Sequence, residues 1–320
     1  MGKNEDILIR DFLKSDLDGL LDLMPKCFSK EFEIAGFDPD HVRSMVNRGY
    51  GAMGRLFLGS SRLLGKEPIK FLVAAVEGKV VGTTIVNSQG SVGYISAVMV
   101  SPDHRRRGIA MTLMKSAVRY VQKRRMSRAI LHVVSTNAAA KGVYSGLGFE
   151  EFEQVTYLVA DTDSILSPKG ADGVETRPYR GGDMDEVYSL YVASENPNHL
   201  RVFDFSRKKL RTTFWLRLFS FGSSKRIVAL RAGRIVGSIV ASYTTAKEAG
   251  GISSVQVRPE DRSHGIEKAL LNAAVGEVRK SKAGRIVARI PTTRPELVET
   301  TKSLGFGEWM VLVGMSKEAQ

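Results

Sequence analysis

The second half of this chain repeats the first, and that constrains the fold more than any other feature of the sequence. Glu77-Gly78-Lys79-Val80-Val81-Gly82-Thr83 returns as Ala232-Gly233-Arg234-Ile235-Val236-Gly237-Ser238, in both cases a strand, a tight turn and a strand, with Gly82 and Gly237 separated by 155 residues. Arg105 to Gly108 returns as Arg262-Ser263-His264-Gly265, and Leu147-Gly148-Phe149 as Leu304-Gly305-Phe306, each 157 residues on. Arg55-Leu56-Phe57-Leu58-Gly59-Ser60-Ser61 has an echo in Arg217-Leu218-Phe219-Ser220-Phe221-Gly222-Ser223-Ser224. Matches in one order define two copies of one unit. A length of 320 residues is long for one compact core and sufficient for two.

The stretch 161–173, rich in Gly, Ser, Pro and Asp, marks a linker, so the sequence divides into a first domain 1–160 and a second domain 174–320. Each copy reads as an N-terminal strand (Ile7 to Phe12; Glu175 to Tyr179), helical material, a strand hairpin, a third strand, a helix, a parallel strand, a helix and a final strand. After Gly108 the apolar residues Ile109, Leu113, Ala117 and Val121 are spaced by four, which predicts one helix face laid on a sheet. The class is mixed α/β.

Several functions are disfavoured by composition. Cys27 is the single cysteine, which excludes an internal disulfide, and five scattered histidines without ligand-like spacing predict no metal site. No stretch has the length of a membrane span; Phe71 to Val76 is a strand-sized apolar run. Met1 to Asp6 lacks the Ser or Thr of a myristoylation signal and no apolar signal core follows, so a cytoplasmic protein is expected. The net charge of +13 attracts polyanions in general. Without basic residues interleaved with aromatic or groove-reading elements, no specific nucleic-acid partner is expected.

The run Val100-Ser101-Pro102-Asp103-His104-Arg105-Arg106-Arg107-Gly108-Ile109-Ala110 reads as a strand end, a loop and a helix start. Backbone N–H groups from Arg106 to Ala110 would point into one concavity at the positive end of a helix dipole, a setting suited to a pyrophosphate. Gly108 and Ala110 allow close approach to the backbone. A solvated basic turn is the competing reading. Thirty residues on comes Asn137-Ala138-Ala139-Ala140-Lys141-Gly142-Val143-Tyr144-Ser145-Gly146-Leu147-Gly148-Phe149, after the apolar strand Ala129 to Val134.

With these two motifs, Arg-x-x-Gly-x-Ala and Asn-x-x-Ala-x-x-x-Tyr-x-x-x-Gly-Phe, in this order, the chain resembles the GNAT superfamily of N-acetyltransferases. The resemblance implies two tandem folds of that type, each a twisted mixed sheet flanked by helices, with acetyl-CoA wedged where two parallel central strands splay apart. It implies that Val98, Met99 and Val100 line the pantetheine arm as an added pseudo-strand. Arg105, Arg106, Arg107, Gly108, Ile109 and Ala110 would hold the pyrophosphate, Asn137 would bond the pantetheine, and Tyr144 would act as general acid. No metal is implied.

Transfer of an acetyl group to an amine also requires a base. Many relatives place a glutamate on one of the two central strands, and this chain has none there. His132 is the best substitute, imidazole being the side chain suited to taking up a proton near neutral pH. With Tyr94 it resembles the Tyr/His pair that orders a proton-accepting water in some protein N-alpha-acetyltransferases. A satisfied core histidine is the alternative.

Adding 157 compares the two copies position by position. Asn137 becomes Arg294, Tyr144 becomes Thr301, His132 becomes Arg289, Tyr94 becomes Gly251 and Ala110 becomes Glu267, a carboxylate that would repel a pyrophosphate. Ile109, Leu113 and Gly148-Phe149 remain as Ile266, Leu270 and Gly305-Phe306. The first copy therefore reads as the enzyme and the second as a degenerate domain with a structural or regulatory role; different chemistry in the second copy stays open. The segment from Phe28 to Lys66 would choose the acceptor, as a lid, a dimer surface, a membrane-touching patch or simple packing. The acceptor is an amine on a peptide or protein terminus or on a small molecule. The rival function is a non-enzymatic acyl-CoA sensor, and the oligomeric state is open.

Overall fold

Both copies fold into the same succession of elements. The computed structural model describes residues 7–28, 38–50, 69–166, 173–203, 222–244, 249–262 and 264–319. The first copy runs β1 (Leu8–Asp11), α1 (Leu17–Cys27), α2 (Pro39–Tyr50), β2 (Ile69–Val76), β3 (Lys79–Gln89), β4 (Val92–Val100), α3 (Ile109–Lys123), β5 (Arg128–Val134), α4 (Ala138–Gly146) and β6 (Glu150–Asp161). The second runs β7 (Val174–Pro178), α5 (Met184–Ser194), α6 (Pro197–Phe203), β8 (Gly222–Arg231), β9 (Arg234–Thr244), β10 (Ala249–Val257), α7 (Ile266–Arg279), β11 (Arg285–Pro291), α8 (Pro295–Ser303) and β12 (Gly307–Glu318). Among the described residues no helix is long and apolar enough to cross a membrane.

The compact units do not coincide with the repeats. One comprises Met1–Glu151 and Gly314–Gln320, the other Phe152–Val313. Thus β6, the last strand of the first copy, lies in the second unit, where it pairs antiparallel with β11 from Val155↔Pro291 to Asp161↔Arg285. The end of the chain belongs to the first unit: Ala319 N–H donates to the Ser127 carbonyl at 3.0 Å and Arg128 pairs with Glu318 at 2.5 Å. The first copy's final strand thus completes the second unit, and only the end of β12, from Gly314, belongs to the first. The expected linker 161–173 also begins as packed structure. Thr162 bonds the carbonyls of Gly284 and Ala283, Leu166 N–H bonds Leu304, and Ile165 is buried in the core of the second unit. Residues 167–172 lie outside the described residues, as do 29–37 and 51–66 of the expected acceptor segment.

In the first unit β4 and β5 are parallel and the pairs β1–β2, β2–β3 and β3–β4 antiparallel. Alternation along β2 sends Leu72, Ala74 and Val76 to one face, against Ile109 and Leu113 of α3, while Val73 joins Leu17, Leu20, Leu21 and Leu23. Ile109, Leu113, Ala117 and Val121 are each at most 1% exposed, the stripe that the four-residue spacing predicts. Gly82 is required by this packing: a Cβ there would lie 2.8 Å from the Met99 carbonyl oxygen and 3.2 Å from both Ile109 and Leu113. Gly237 meets the same crowding from Leu270, Gln256 and Ile266, which explains why the glycine is kept in both copies.

Candidate active site

The β4–β5 ladder runs from Val92↔Arg128 to Tyr94↔Ile130 and stops, although both strands continue. A bulge accounts for the divergence. Thr83 faces Met99 and Ile85 faces Ser96, so Ala97 and Val98 together oppose Thr84, with Ala97 at φ +50°. The extra residue bends and twists β4. The expected splay between parallel central strands is therefore present, and Val98, Met99 and Val100 lie beyond it. Met99 is buried toward α1, while Val98 and Val100 are half-buried. The Val100 carbonyl accepts from Arg105 Nε at 3.3 Å and Cys27 Sγ at 3.5 Å. Cys27, close to this strand end, carried no sequence signal; burial raises its thiol pKa, against the pull of Arg105.

At the point of divergence the structure brings together two residues 38 positions apart. Tyr94 Oη lies 3.1 Å from His132 Nδ1, with ring centroids 5.8 Å apart. The phenol donates when Nε2 carries the imidazole proton and accepts when Nδ1 does.

The loop after β4 has the predicted cradle geometry. Arg106 and Gly108 adopt positive φ, +63° and +76°, which turns successive amides toward one side. The first bond of α3 runs from Thr112 N–H to the Gly108 carbonyl at 3.0 Å, so the amides of Ile109, Ala110 and Met111 have no acceptor within the helix. A Cβ built on Gly108 would meet nothing within 4 Å. Arg105, Arg106 and Arg107 are exposed; Arg105 is turned back on Val100, and Arg107 Nη2 donates to the Asp103 carbonyl at 3.4 Å. Open space, unbonded helix amides and three guanidinium groups fit a pyrophosphate.

Asn137 caps α4, its Oδ1 accepting the Ala140 N–H at 3.1 Å, which leaves its amide nitrogen as a donor. Tyr144 lies two turns on, 6% exposed and 6.3 Å from the Phe149 ring. Burial pushes its pKa up to about 12. Among the described residues its hydroxyl has no hydrogen-bond partner.

At the matching site of the second unit the changed residues are engaged with one another and with their neighbours. Glu267 does not face an open lip, as the sequence comparison suggested: it is buried and paired with Arg294 at 3.2 Å, and Arg294 also pairs with Glu296. A carboxylate at the start of α7 thus occupies the favourable end of the helix dipole. Thr301 Oγ1 is spent on the Leu297 carbonyl at 2.8 Å. Arg289 lies over the Tyr157 ring, 5.4 Å from its centroid. At Gly251 a Cβ would fall 2.6 Å from Ser242 Oγ.

A sheet whose parallel strands part beside an anion cradle, in a fold that the chain repeats, defines an acetyltransferase-type scaffold. The chain belongs to the acetyltransferase (GNAT) family, whose model matches it over residues 20–149 and again over 184–306. An uncharacterized N-acetyltransferase of Methanocaldococcus jannaschii is 30% identical over 154 residues, 46% of this chain and 62% of that protein. Mycothiol acetyltransferase of Tsukamurella paurometabola is 24% identical over 143 residues, 44% of this chain and 47% of that one. The chain therefore spans between about half and two thirds of the length of these relatives. Among solved structures, a tandem GNAT protein from the clavulanic acid biosynthesis pathway superposes with a TM-score of 0.66 at 16% identity, covering 98% of this chain and 99% of that one. A GCN5-related N-acetyltransferase from Sphaerobacter thermophilus gives 0.65 at 18% identity, covering 98% and 96%. These two likenesses concern the tandem fold.

Proposed function

We propose that the first copy is an acetyl-CoA-dependent N-acetyltransferase that acylates a primary amine by direct attack within a ternary complex. The observation that carries this reading is the Tyr94–His132 pair, 3.1 Å apart where β4 and β5 part. When bound, acetyl-CoA supplies an acetyl group activated as a thioester. The amides of Ile109 and Ala110, with Arg105, Arg106, Arg107 and Gly108, hold the pyrophosphate by charge and by the helix dipole. The β4 backbone past the bulge, at Val98, Met99 and Val100, together with the Asn137 amide, aligns the pantetheine arm.

His132 accepts the proton of the attacking amine, directly or through a water ordered with Tyr94, and returns it to solvent. Tyr144 stays protonated because burial disfavours the phenolate, so it can give a proton to the departing thiolate and take one back from solvent before the next turnover. A pure acyl-CoA sensor has no use for a buried phenol that, among the described residues, has no hydrogen-bond partner, which disfavours the binding-only alternative. The second copy serves as a structural or regulatory domain, a reading supported by the Glu267–Arg294 pair at the start of α7.

The test is a panel of amines and peptides incubated with acetyl-CoA and the full chain, read as free coenzyme A thiol. Acceptor-dependent release that is lost in His132→Ala supports the assignment. Tight acetyl-CoA binding with no release for any acceptor supports the sensor instead.

A further inference from the structure

In the first unit α1 packs on the sheet through one apolar cluster that includes Phe12, Met24, Phe28, Phe71 and Met99. The structurally matching positions of the second unit each carry a polar group, two of them phenols: Tyr179, Tyr191, Glu195, Arg226 and Gln256. Backbone geometry fixes the match. Phe12 N–H donates to the Phe71 carbonyl, and Tyr179 N–H to that of Arg226, both at 2.9 Å. Phe28 closes α1 on Met24 at 2.9 Å as Glu195 closes α5 on Tyr191 at 3.0 Å. Met99 faces Thr83 across the ladder as Gln256 faces Ser238. Where Phe12 and Phe71 stack at 4.3 Å, the second copy has a phenol and a guanidinium.

The polar groups form one chain. Arg226 Nη1 donates to Ser238 Oγ at 3.3 Å, Ser238 Oγ to Gln256 Oε1 at 3.3 Å, and Gln256 Nε2 to Glu195 Oε2 at 3.4 Å. Ser238 and Gln256 are 1% and 2% exposed. Beside them Glu153 pairs with His199 at 2.6 Å. Burial raises the Tyr191 pKa, with Glu195 and Glu153 adding to the shift, and burial lowers that of Arg226. Replacing an apolar cluster by half-buried charges costs stability. Yet Arg226 and Glu195 are not paired with each other. Two neutral side chains stand between them, and among the described residues Arg226 has no carboxylate partner and uses one of its five N–H donors on a side chain.

We propose that this cluster is a second ligand site for a small zwitterion of the free α-amino-acid class, its carboxylate on Arg226 and its ammonium on Glu195. A molecule carrying both charges satisfies both ends of the bridge, whereas a simple anion leaves Glu195 facing it. The site uses neither the cradle nor the Tyr94–His132 pair, so it stands or falls independently of the acetyl-transfer reading.

The experiment is calorimetric titration of the full chain with the common α-amino acids, each with its methyl ester and its N-acetyl derivative. At least one amino acid is expected to bind saturably, and blocking either charge to weaken it about tenfold or more, as is Arg226→Gln, with acetyl-CoA titration unchanged. If circular dichroism shows Arg226→Gln unfolded, Glu195→Gln decides by the same criterion. Absence of binding by every amino acid, or binding that survives substitution of the charged groups, overturns the proposal and leaves a purely structural network.

Discussion

Tyr94→Phe separates a catalytic from a structural role for the Tyr94–His132 contact. The change deletes one oxygen and keeps the ring, so the ring packing is preserved and the 3.1 Å bond to Nδ1 is lost. Both residues are half-buried, which places the stability cost in the range of about 0.5–1.5 kcal/mol for a neutral hydrogen bond. General acid–base catalysis contributes about 10²- to 10⁴-fold, or roughly 3–5 kcal/mol of transition-state stabilisation. The two effects therefore differ by at least about 1 kcal/mol, outside the error of paired measurements. Urea unfolding gives the first, and single-turnover acetyl transfer with enzyme in excess gives the second, using the best acceptor from the amine panel. A rate loss below about tenfold, or one no larger than the stability loss, refutes the proposed role of the pair.

Tyr144→Phe should lower kcat by about 10²- to 10⁴-fold while acetyl-CoA affinity changes only a few-fold. Since burial holds the Tyr144 phenol protonated up to about 12, its removal should depress the whole pH–rate profile below that pH without moving a limb; a limb that vanishes with the hydroxyl contradicts this. Acetyl-CoA should bind with a stoichiometry near one per chain and be lost in Gly108→Trp, because the ring fills the open side of that cradle; two equivalent sites by calorimetry count against it. Arg10 grips Asp16 with bonds of 2.6 and 2.8 Å and, with the Leu13 N–H, holds its carboxyl below the usual range. A folded pKa below the unfolded one gives stability that is full above about pH 4 and is lost as pH falls through the folded value. Asp16→Asn should accordingly cost about 1.5–3 kcal/mol at pH 7 and flatten the acid side of the stability curve, and equal urea midpoints at pH 7 would exclude it.

Much of the site was legible because it is built from local geometry. The cradle needs a left-handed residue before a helix, and Gly108 and Gly265 announce it at φ +76° and +74°. Asn137 lies where a helix needs a cap, and Tyr144 follows two turns later. Repetition at a fixed offset announced the tandem fold, and the substitutions between copies marked the second cradle as different. They did not say how: Glu267 reads as a charge that repels a ligand until Arg294, 27 residues on, is seen beside it in the folded chain.

What the sequence by itself determined is therefore the architecture of each copy, the class of protein and the residues available for chemistry. Only the tertiary structure decided which strand each copy closes upon, and which side chains meet. Periodicity along β6 and β12 specifies which residues face the core, but not which neighbouring strand supplies the hydrogen bonds. Two copies of one fold offer similar partners, and the chain pairs β6 with β11 while its own end returns to the first unit. Tyr94 meeting His132, and Arg226 joined to Glu195 through Ser238 and Gln256, are likewise contacts between distant segments. Side-chain patterns record the environment each residue needs, and the partner that provides it is chosen by long-range packing.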